Sequence, residues 1–231
     1  MTSGVPGDLQ AYLDRWAALH GGYDPRTSVW SRTWLRLTFR LAAPLARSGM
    51  SPHLLTAAGL LAAALVPSVA YAGYPLLAVP LIALSGLFDS LDGAVAVLTG
   101  RATPFGYVLD STADRVGEAA YVVALWVLGA PGWVCALAGA GAWLLEYVRA
   151  RAVGAGMTDI GLVTVWERAT RIAVTAAGLL LVPWFAAAAA VTAGAWSVLG
   201  LAGLGQLLVV VHRELPSPRS GGALRGPTPG R

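Results

Sequence analysis

From Pro52 onward the chain reads as six long apolar runs, each closed by glycine or proline. They cover about 53–72, 75–99, 105–129, 132–154, 168–184 and 186–211, with breaks at Gly73-Tyr74-Pro75, Gly100 to Pro104, Gly129-Ala130-Pro131, Gly154 to Trp166 and Pro183-Trp184. About 20 apolar residues span a bilayer as a helix, so the pattern predicts six transmembrane helices, the fifth being the shortest. Ser51-Pro52 opens the first of them, with proline in the first turn, where its missing N–H costs nothing. Residues 28–48 follow a different rule. Arg32, Arg36 and Arg40 recur every four residues among Trp, Leu and Phe, and Arg47 follows. This spacing predicts an amphipathic helix lying on the membrane surface; as a span it would carry several arginines into hydrocarbon. The fold class expected is an all-α integral membrane protein with one N-terminal amphipathic surface helix and six transmembrane helices. Residues 1–27 form an N-terminal arm with a short helix expected over Asp8–Leu19, residues 28–212 a single membrane domain, and residues 213–231 a disordered basic tail. No internal repeat is evident.

Composition agrees with the pattern. Hydrophobic residues make up 56% of the 231 and charged residues only 12%, against about 25% charged in soluble domains; mean hydropathy is +0.64. The lone Cys135 excludes an internal disulfide and a cysteine-based metal site. The first residues lack a basic stretch followed by an apolar core, so no cleaved signal peptide is expected. The placement of arginine gives orientation. The connections near 73, 130 and 185 carry no charge. The N-terminal arm and surface helix, the loop with Arg101, the loop from Arg149 to Arg171 and the tail hold every arginine except Arg115. Positive residues favour the cytoplasmic side, so a multi-pass protein of the cell membrane is expected, with both termini cytoplasmic. The bilayer accounts for this basic charge, and no nucleic-acid partner is expected.

Within the apolar part, Leu87 to Arg115 holds four of the twelve acidic residues: Asp89, Asp92, Asp110 and Asp114. At about 100° per residue, Asp89 and Asp92 lie roughly 60° apart on their helix and Asp110 and Asp114 roughly 40° apart on the next. Gly86, Gly93 and Ala96 border the first pair, and Gly106 and Gly117 flank the second. Both pairs fall near the cytoplasmic ends of helices read as adjacent and antiparallel. Four converging carboxylates repel one another unless protonated or bound to cations, and an all-oxygen donor set favours Mg²⁺, Mn²⁺ or Ca²⁺ over zinc. Buried ion pairing alone is a poor account, because Arg115 is the nearest basic residue and one arginine cannot balance four carboxylates. A cation transporter would place its acids nearer the bilayer midplane.

These residues resemble the signature of the CDP-alcohol phosphotransferase family, D-x2-D-G-x2-A-R followed by G-x3-D-x3-D. Asp89, Asp92, Gly93, Ala96, Gly106, Asp110 and Asp114 match it, and the resemblance extends over roughly residues 28–212. It implies transfer of a phosphatidyl group from CDP-diacylglycerol to a small polar alcohol with release of CMP, using Mg²⁺ or Mn²⁺, two ions in all. By the same resemblance Asp89, Asp92, Asp110 and Asp114 bind metal, and Asp114 is also the base on the acceptor hydroxyl. Asp92, Gly93, Ala96, Gly106 and Thr56 would then meet the CDP donor, and the family's homodimers extend to this chain as an expectation. One position departs: the motif arginine is Val97 here. Arg101, four residues on, is the candidate to reach back and replace its charge. The departure also keeps open a non-catalytic paralogue that binds metal or nucleotide.

A second constellation, Arg149 and Arg151 with Arg168 and Arg171, flanks one loop expected to be cytoplasmic. Guanidinium groups match phosphate oxygens two at a time, so these four are expected to bind a phosphate on the acceptor. Tyr147, Arg149 and Arg151, then Glu167, Arg168 and Arg171, resemble the branch that makes phosphatidylinositol phosphate. Inositol phosphate is the leading acceptor, with glycerol 3-phosphate, and so phosphatidylglycerophosphate synthesis, as the alternative. Arg115 and Glu118 are expected to pair with or orient the aspartates, and most of the nine tryptophans to serve as interface or packing residues.

Overall fold

The computed structural model describes residues 8–19, 24–157 and 164–215. Among them are eight α-helices and no strand: α1 Leu9–Leu19, α2 Val29–Arg47, α3 Pro52–Tyr71, α4 Pro75–Thr99, α5 Pro104–Val127, α6 Gly132–Gly154, α7 Arg168–Leu181 and α8 Ala188–Glu214. The six apolar runs each become one helix, α3 to α8, and the expected surface helix becomes α2. The short helix expected in the N-terminal arm is α1. The tail from Pro216 lies outside the described residues. Of the eight helices, α3, α4 and α8 are long and apolar enough to cross a membrane by length and composition. At 14 residues α7 is the shortest of the six apolar helices, about 21 Å long at 1.5 Å per residue.

Local chemistry sets the helix ends. Proline opens α3, α4 and α5, and the Thr103 hydroxyl accepts from the Gly106 N–H at 3.0 Å to cap α5. α4 stops at Gly100, whose φ of +66° is a left-handed conformation that glycine adopts without a Cβ clash. The Arg101 N–H then donates back to the Ala96 carbonyl at 2.9 Å.

Small residues control how closely the helices approach, as expected where apolar surface gives helices little reason to prefer one another over lipid. A Cβ on Gly59 of α3 would stand 3.2 Å from Phe88 Cβ and 3.3 Å from the Ser85 carbonyl of α4. One on Gly117 of α5 would stand 3.3 Å from Ala63 Cβ of α3, and one on Gly86 of α4 2.8 Å from Ile172 of α7. α3 therefore packs along both α4 and α5, which make little direct contact with each other. The helices carrying the acidic pairs are consecutive in sequence, but they are neighbours across a cleft floored by α3 and do not pack side by side as expected. α7 closes the cleft against α4, while α8 packs on α6 and α7. A separate apolar cluster joins Tyr12 and Leu13 of α1 and Leu35, Ala42, Ala43 and Ala46 of α2 to Leu91, Ala94, Val95 and Leu98 of α4. It anchors the N-terminal helices on the half of α4 that bears the aspartates.

Candidate active site

The cleft between α4 and α5 gathers the acidic residues. Asp89 and Asp92 come from α4, Asp110 and Asp114 from α5, Thr56 and Gly59 from α3, and Arg168 from the first turn of α7. One carboxylate oxygen from each of Asp89, Asp92 and Asp110 lies within 4.8 Å of the others. Asp92 is 4% exposed, and its Oδ2 lies 2.5 Å from the Thr56 hydroxyl, which donates to it. That bond fixes the Asp92 rotamer from α3. Asp110 Oδ1 is buried without a hydrogen-bond partner among the described residues, an arrangement that costs stability unless something satisfies it. A buried orphan oxygen beside two further carboxylates, with no nitrogen or sulfur donor among them, fits a hard divalent cation.

Asp114 lies one turn beyond Asp110 on the same face of α5. Arg168 Nη1 donates to Asp114 Oδ1 and to Asp89 Oδ1, so a guanidinium from α7 bridges the two acidic helices. The sequence grouped Arg168 with the loop arginines, and the fold carries it into the aspartate cleft. Arg115 approaches Asp114 at 3.9 Å and Glu118 at 3.1 Å, in keeping with its expected pairing role.

The rest of the arginine constellation divides. Arg149 Nη2 donates to Glu167 Oε1 at 2.9 Å, beside Arg168 in sequence. Arg151 is exposed on the last turn of α6. Arg171 is fully buried, with Nη1 2.5 Å from Glu118 Oε1 and Nη2 2.7 Å from Glu146 Oε1. Two participants were not identified from the sequence. Glu146, three residues before Arg149, approaches Arg115, Arg149 and Arg171. Trp166 supplies the carbonyl that Arg171 Nη2 reaches at 2.8 Å. An acidic residue inside the apolar run of α6 was the available signal for Glu146; nothing local marked Trp166.

On the donor side, Gly93 is exposed, and a Cβ placed there would meet nothing within 4 Å, so the α4 backbone is open to a bulky ligand. Ala96 is half-buried, and Gly106 lies against Thr103 and His53. Val97 is 7% exposed and belongs to the apolar cluster that joins α2 to α4. Arg101 does not continue the α4 face as an i+4 neighbour of Val97. The left-handed Gly100 ends the helix first, and Arg101 is exposed on the connection to α5.

An all-helical fold with two aspartates on each of two helices around one cleft defines a class, and the family model for CDP-alcohol phosphatidyltransferases matches residues 50–204. The chain belongs to that family and is an enzyme of its phosphatidyl-transferring kind. It is 30% identical to the phosphatidylinositol phosphate synthase of Mycobacteroides abscessus over 198 residues, covering 80% of this chain and 87% of that one. It is 35% identical to the archaetidylinositol phosphate synthase of Aeropyrum pernix over 123 residues; there the match spans 53% of this chain and 63% of the relative's length. The phosphatidylinositol phosphate synthase of Mycobacterium tuberculosis superposes with a TM-score of 0.63 when CDP-DAG is bound and 0.66 when in complex with manganese and citrate. Identity is 25% in both, with coverage of 80% and 84% of this chain and 96% and 95% of that one.

Proposed function

We propose that this protein transfers a phosphatidyl group from CDP-diacylglycerol to inositol phosphate, releasing CMP. The observation that carries the reading is the adjacency of two sites. The aspartates of α4 and α5 share a cleft with Arg168, and Glu167, next in sequence to Arg168, holds Arg149 of α6. The relatives' names, and the donor and metal of the M. tuberculosis structures, support the same assignment.

Asp89, Asp92, Asp110 and Asp114 hold two divalent cations, Mg²⁺ or Mn²⁺. When bound, these neutralise the donor diphosphate and the charge that develops on CMP. Thr56 keeps Asp92 in the ligating rotamer, and the open backbone at Gly93, with half-buried Ala96 one turn on, admits the cytidine end, with Gly106 and Arg101 alongside. Arg149, Arg151 and Arg168 receive the acceptor's phosphate, which places its hydroxyl near Asp114. Asp114 takes the hydroxyl proton as the oxygen bonds to the lipid-bearing phosphorus. The bond from that phosphorus to the CMP oxygen breaks, and CMP departs.

In this reading residues 28–212 form the membrane domain, with α3 to α8 as six spans and α2 lying at the cytoplasmic interface. The exposures along α2 support that placement. Leu35, Thr38, Ala42 and Ala46 are buried, Arg36, Arg40 and Arg47 form an exposed basic stripe, and Trp34, Leu37 and Leu41 form an exposed apolar one. Exposed Tyr71, Tyr74, Trp133, Trp184 and Phe185 gather at the uncharged turns and suit the opposite interface. The active site and both termini are then cytoplasmic, and the protein is a homodimer packed through small residues of its spans. Crosslinking in membranes, together with protease treatment of intact cells carrying a C-terminal tag, reads the last two points. A monomer removes the dimer, and a cleaved tag reverses the orientation.

The reaction is tested by CMP release from protein in lipid nanodiscs with CDP-diacylglycerol and Mg²⁺ or Mn²⁺, comparing inositol 1-phosphate, glycerol 3-phosphate and inositol. Metal-dependent release is expected to be fastest with inositol 1-phosphate and lost on chelation. Release confined to glycerol 3-phosphate would reassign the acceptor, and release equal with inositol would remove the phosphate-reading task from the arginines.

A further inference from the structure

Beneath the cleft lies a second group of charges that the transfer reaction does not itself use. Arg171 of α7 has no exposed surface, and its guanidinium joins three elements. It donates to Glu118 of α5 at 2.5 Å, to Glu146 of α6 at 2.7 Å, and to the Trp166 carbonyl, through Nε at 3.1 Å and Nη2 at 2.8 Å. Taking the Arg171 guanidinium and the Glu118 carboxylate out of water, with Glu146 half-buried beside them, is costly, so this cluster invites a purpose beyond packing.

The purpose follows from what Trp166 carries. Its fully buried indole lies edge-on to Trp196 at 5.1 Å, in a notch beside Gly200 and Gly203, where a Cβ on Gly203 would stand 2.8 Å from Trp166 Cβ. The wedge and the Arg171 bonds together fix the segment that leads into α7. In that segment Glu167 Oε1 accepts from the Thr164 N–H and hydroxyl, both at 2.8 Å, and from Arg149 at 2.9 Å. The next residue is Arg168. The aim of Arg149 and Arg168, two of the three guanidinium groups assigned to the acceptor, is therefore set by the Thr164–Arg168 segment, and Arg171 holds that segment through the Trp166 carbonyl.

We infer that Arg171 is a positioning residue for acceptor recognition: clamped by Glu118 and Glu146, it pins the Trp166 carbonyl and so fixes where Arg149 and Arg168 meet the acceptor's phosphate. This rests on the reading of Arg149 and Arg168 as phosphate-binding groups. It differs from the expectation that Arg171 contacts that phosphate itself.

The two assignments predict opposite signs for Glu118→Gln. Glu118 is 2% exposed and pairs with Arg171 and Arg115. If Arg171 bound phosphate directly, removing a competing carboxylate would free it and lower the acceptor KM. If Arg171 is a clamp, losing one jaw loosens the segment and raises it. A displacement of about 1 Å at a binding group can cost up to about a hundredfold. In nanodiscs with CDP-diacylglycerol and inositol 1-phosphate, Arg171→Met and Glu118→Gln are both expected to raise the acceptor KM by about ten- to a hundredfold, with the donor KM unchanged. Amide hydrogen exchange over 164–171 on the same samples should quicken in both variants. A lowered acceptor KM in Glu118→Gln would overturn the clamp in favour of direct contact. A parallel loss of kcat, donor affinity and folded protein would reduce the cluster to a structural role. Wild-type protein inactive with inositol 1-phosphate would sink the acceptor reading, and the exchange rates would then decide the clamp on their own: unchanged protection over 164–171 overturns it.

Discussion

Asp114→Asn is expected to lower metal-dependent CMP release by about a thousandfold or more, while the protein still folds and binds CDP-diacylglycerol. Asparagine keeps the size of the side chain and one oxygen, but it cannot take a proton from the acceptor hydroxyl. General base catalysis alone contributes about 10²–10⁴ in rate, and the lost negative charge also weakens the cation site. Arg168 would keep Asp89 as a partner in the variant, since its Nη1 donates to both residues, so the bridge between α7 and α4 survives. Single-turnover CMP release with saturating donor, beside a donor-binding titration, separates chemistry from binding. Turnover within tenfold of wild type would remove Asp114 as the base and point to Asp110, its neighbour one turn away.

The parts of this site that sequence made legible are those with local signals. Runs of apolar residues closed by glycine and proline gave α3 to α8 to within about three residues at each end, because glycine and proline punctuate long apolar helices. The aspartates stood out against those runs: acids at helical spacing inside them have no bland explanation. Contacts between distant segments left no such mark. Arg171 meets Glu118 and Glu146 across 53 and 25 residues, and Arg168 meets Asp89 across 79. Nothing in the sequence near Arg171 separates a buried pin from an open phosphate ligand, although Arg168 and Arg171 lie only three residues apart. One helical turn moves the side chain from the cleft to the core below it. Arg101 failed as a helical neighbour of Val97 on a backbone detail, the left-handed Gly100. Trp166 is one of nine tryptophans, most of them read as interface or packing residues, and nothing local singles it out, because the glycine notch that buries it is assembled by α8.

Asp110→Asn is expected to reverse the order of thermal stability between variant and wild type, depending on metal. In chelator the variant should melt at or above the wild type. Three carboxylate oxygens within 4.8 Å of one another repel, at roughly 3 kcal/mol per fully charged pair for an effective dielectric near 20, and the substitution removes one charge at constant shape. With Mn²⁺ present the order should invert. A ligand at about a hundred times its dissociation constant stabilises by about 2.7 kcal/mol, or roughly 5–11 °C for a protein of this length. The wild type should gain that shift, and the variant most of it should lose. Asp110 Oδ1, buried without a hydrogen-bond partner among the described residues, is the oxygen with most to gain from a cation, which makes this residue the sharpest test among the four. A merely misfolded variant would melt lower under both conditions, so the crossing distinguishes lost ligation from lost structure. Should Asp110→Asn keep the full Mn²⁺-induced shift, Asp110 leaves the ligand set, and its orphan oxygen must be satisfied by the substrate instead.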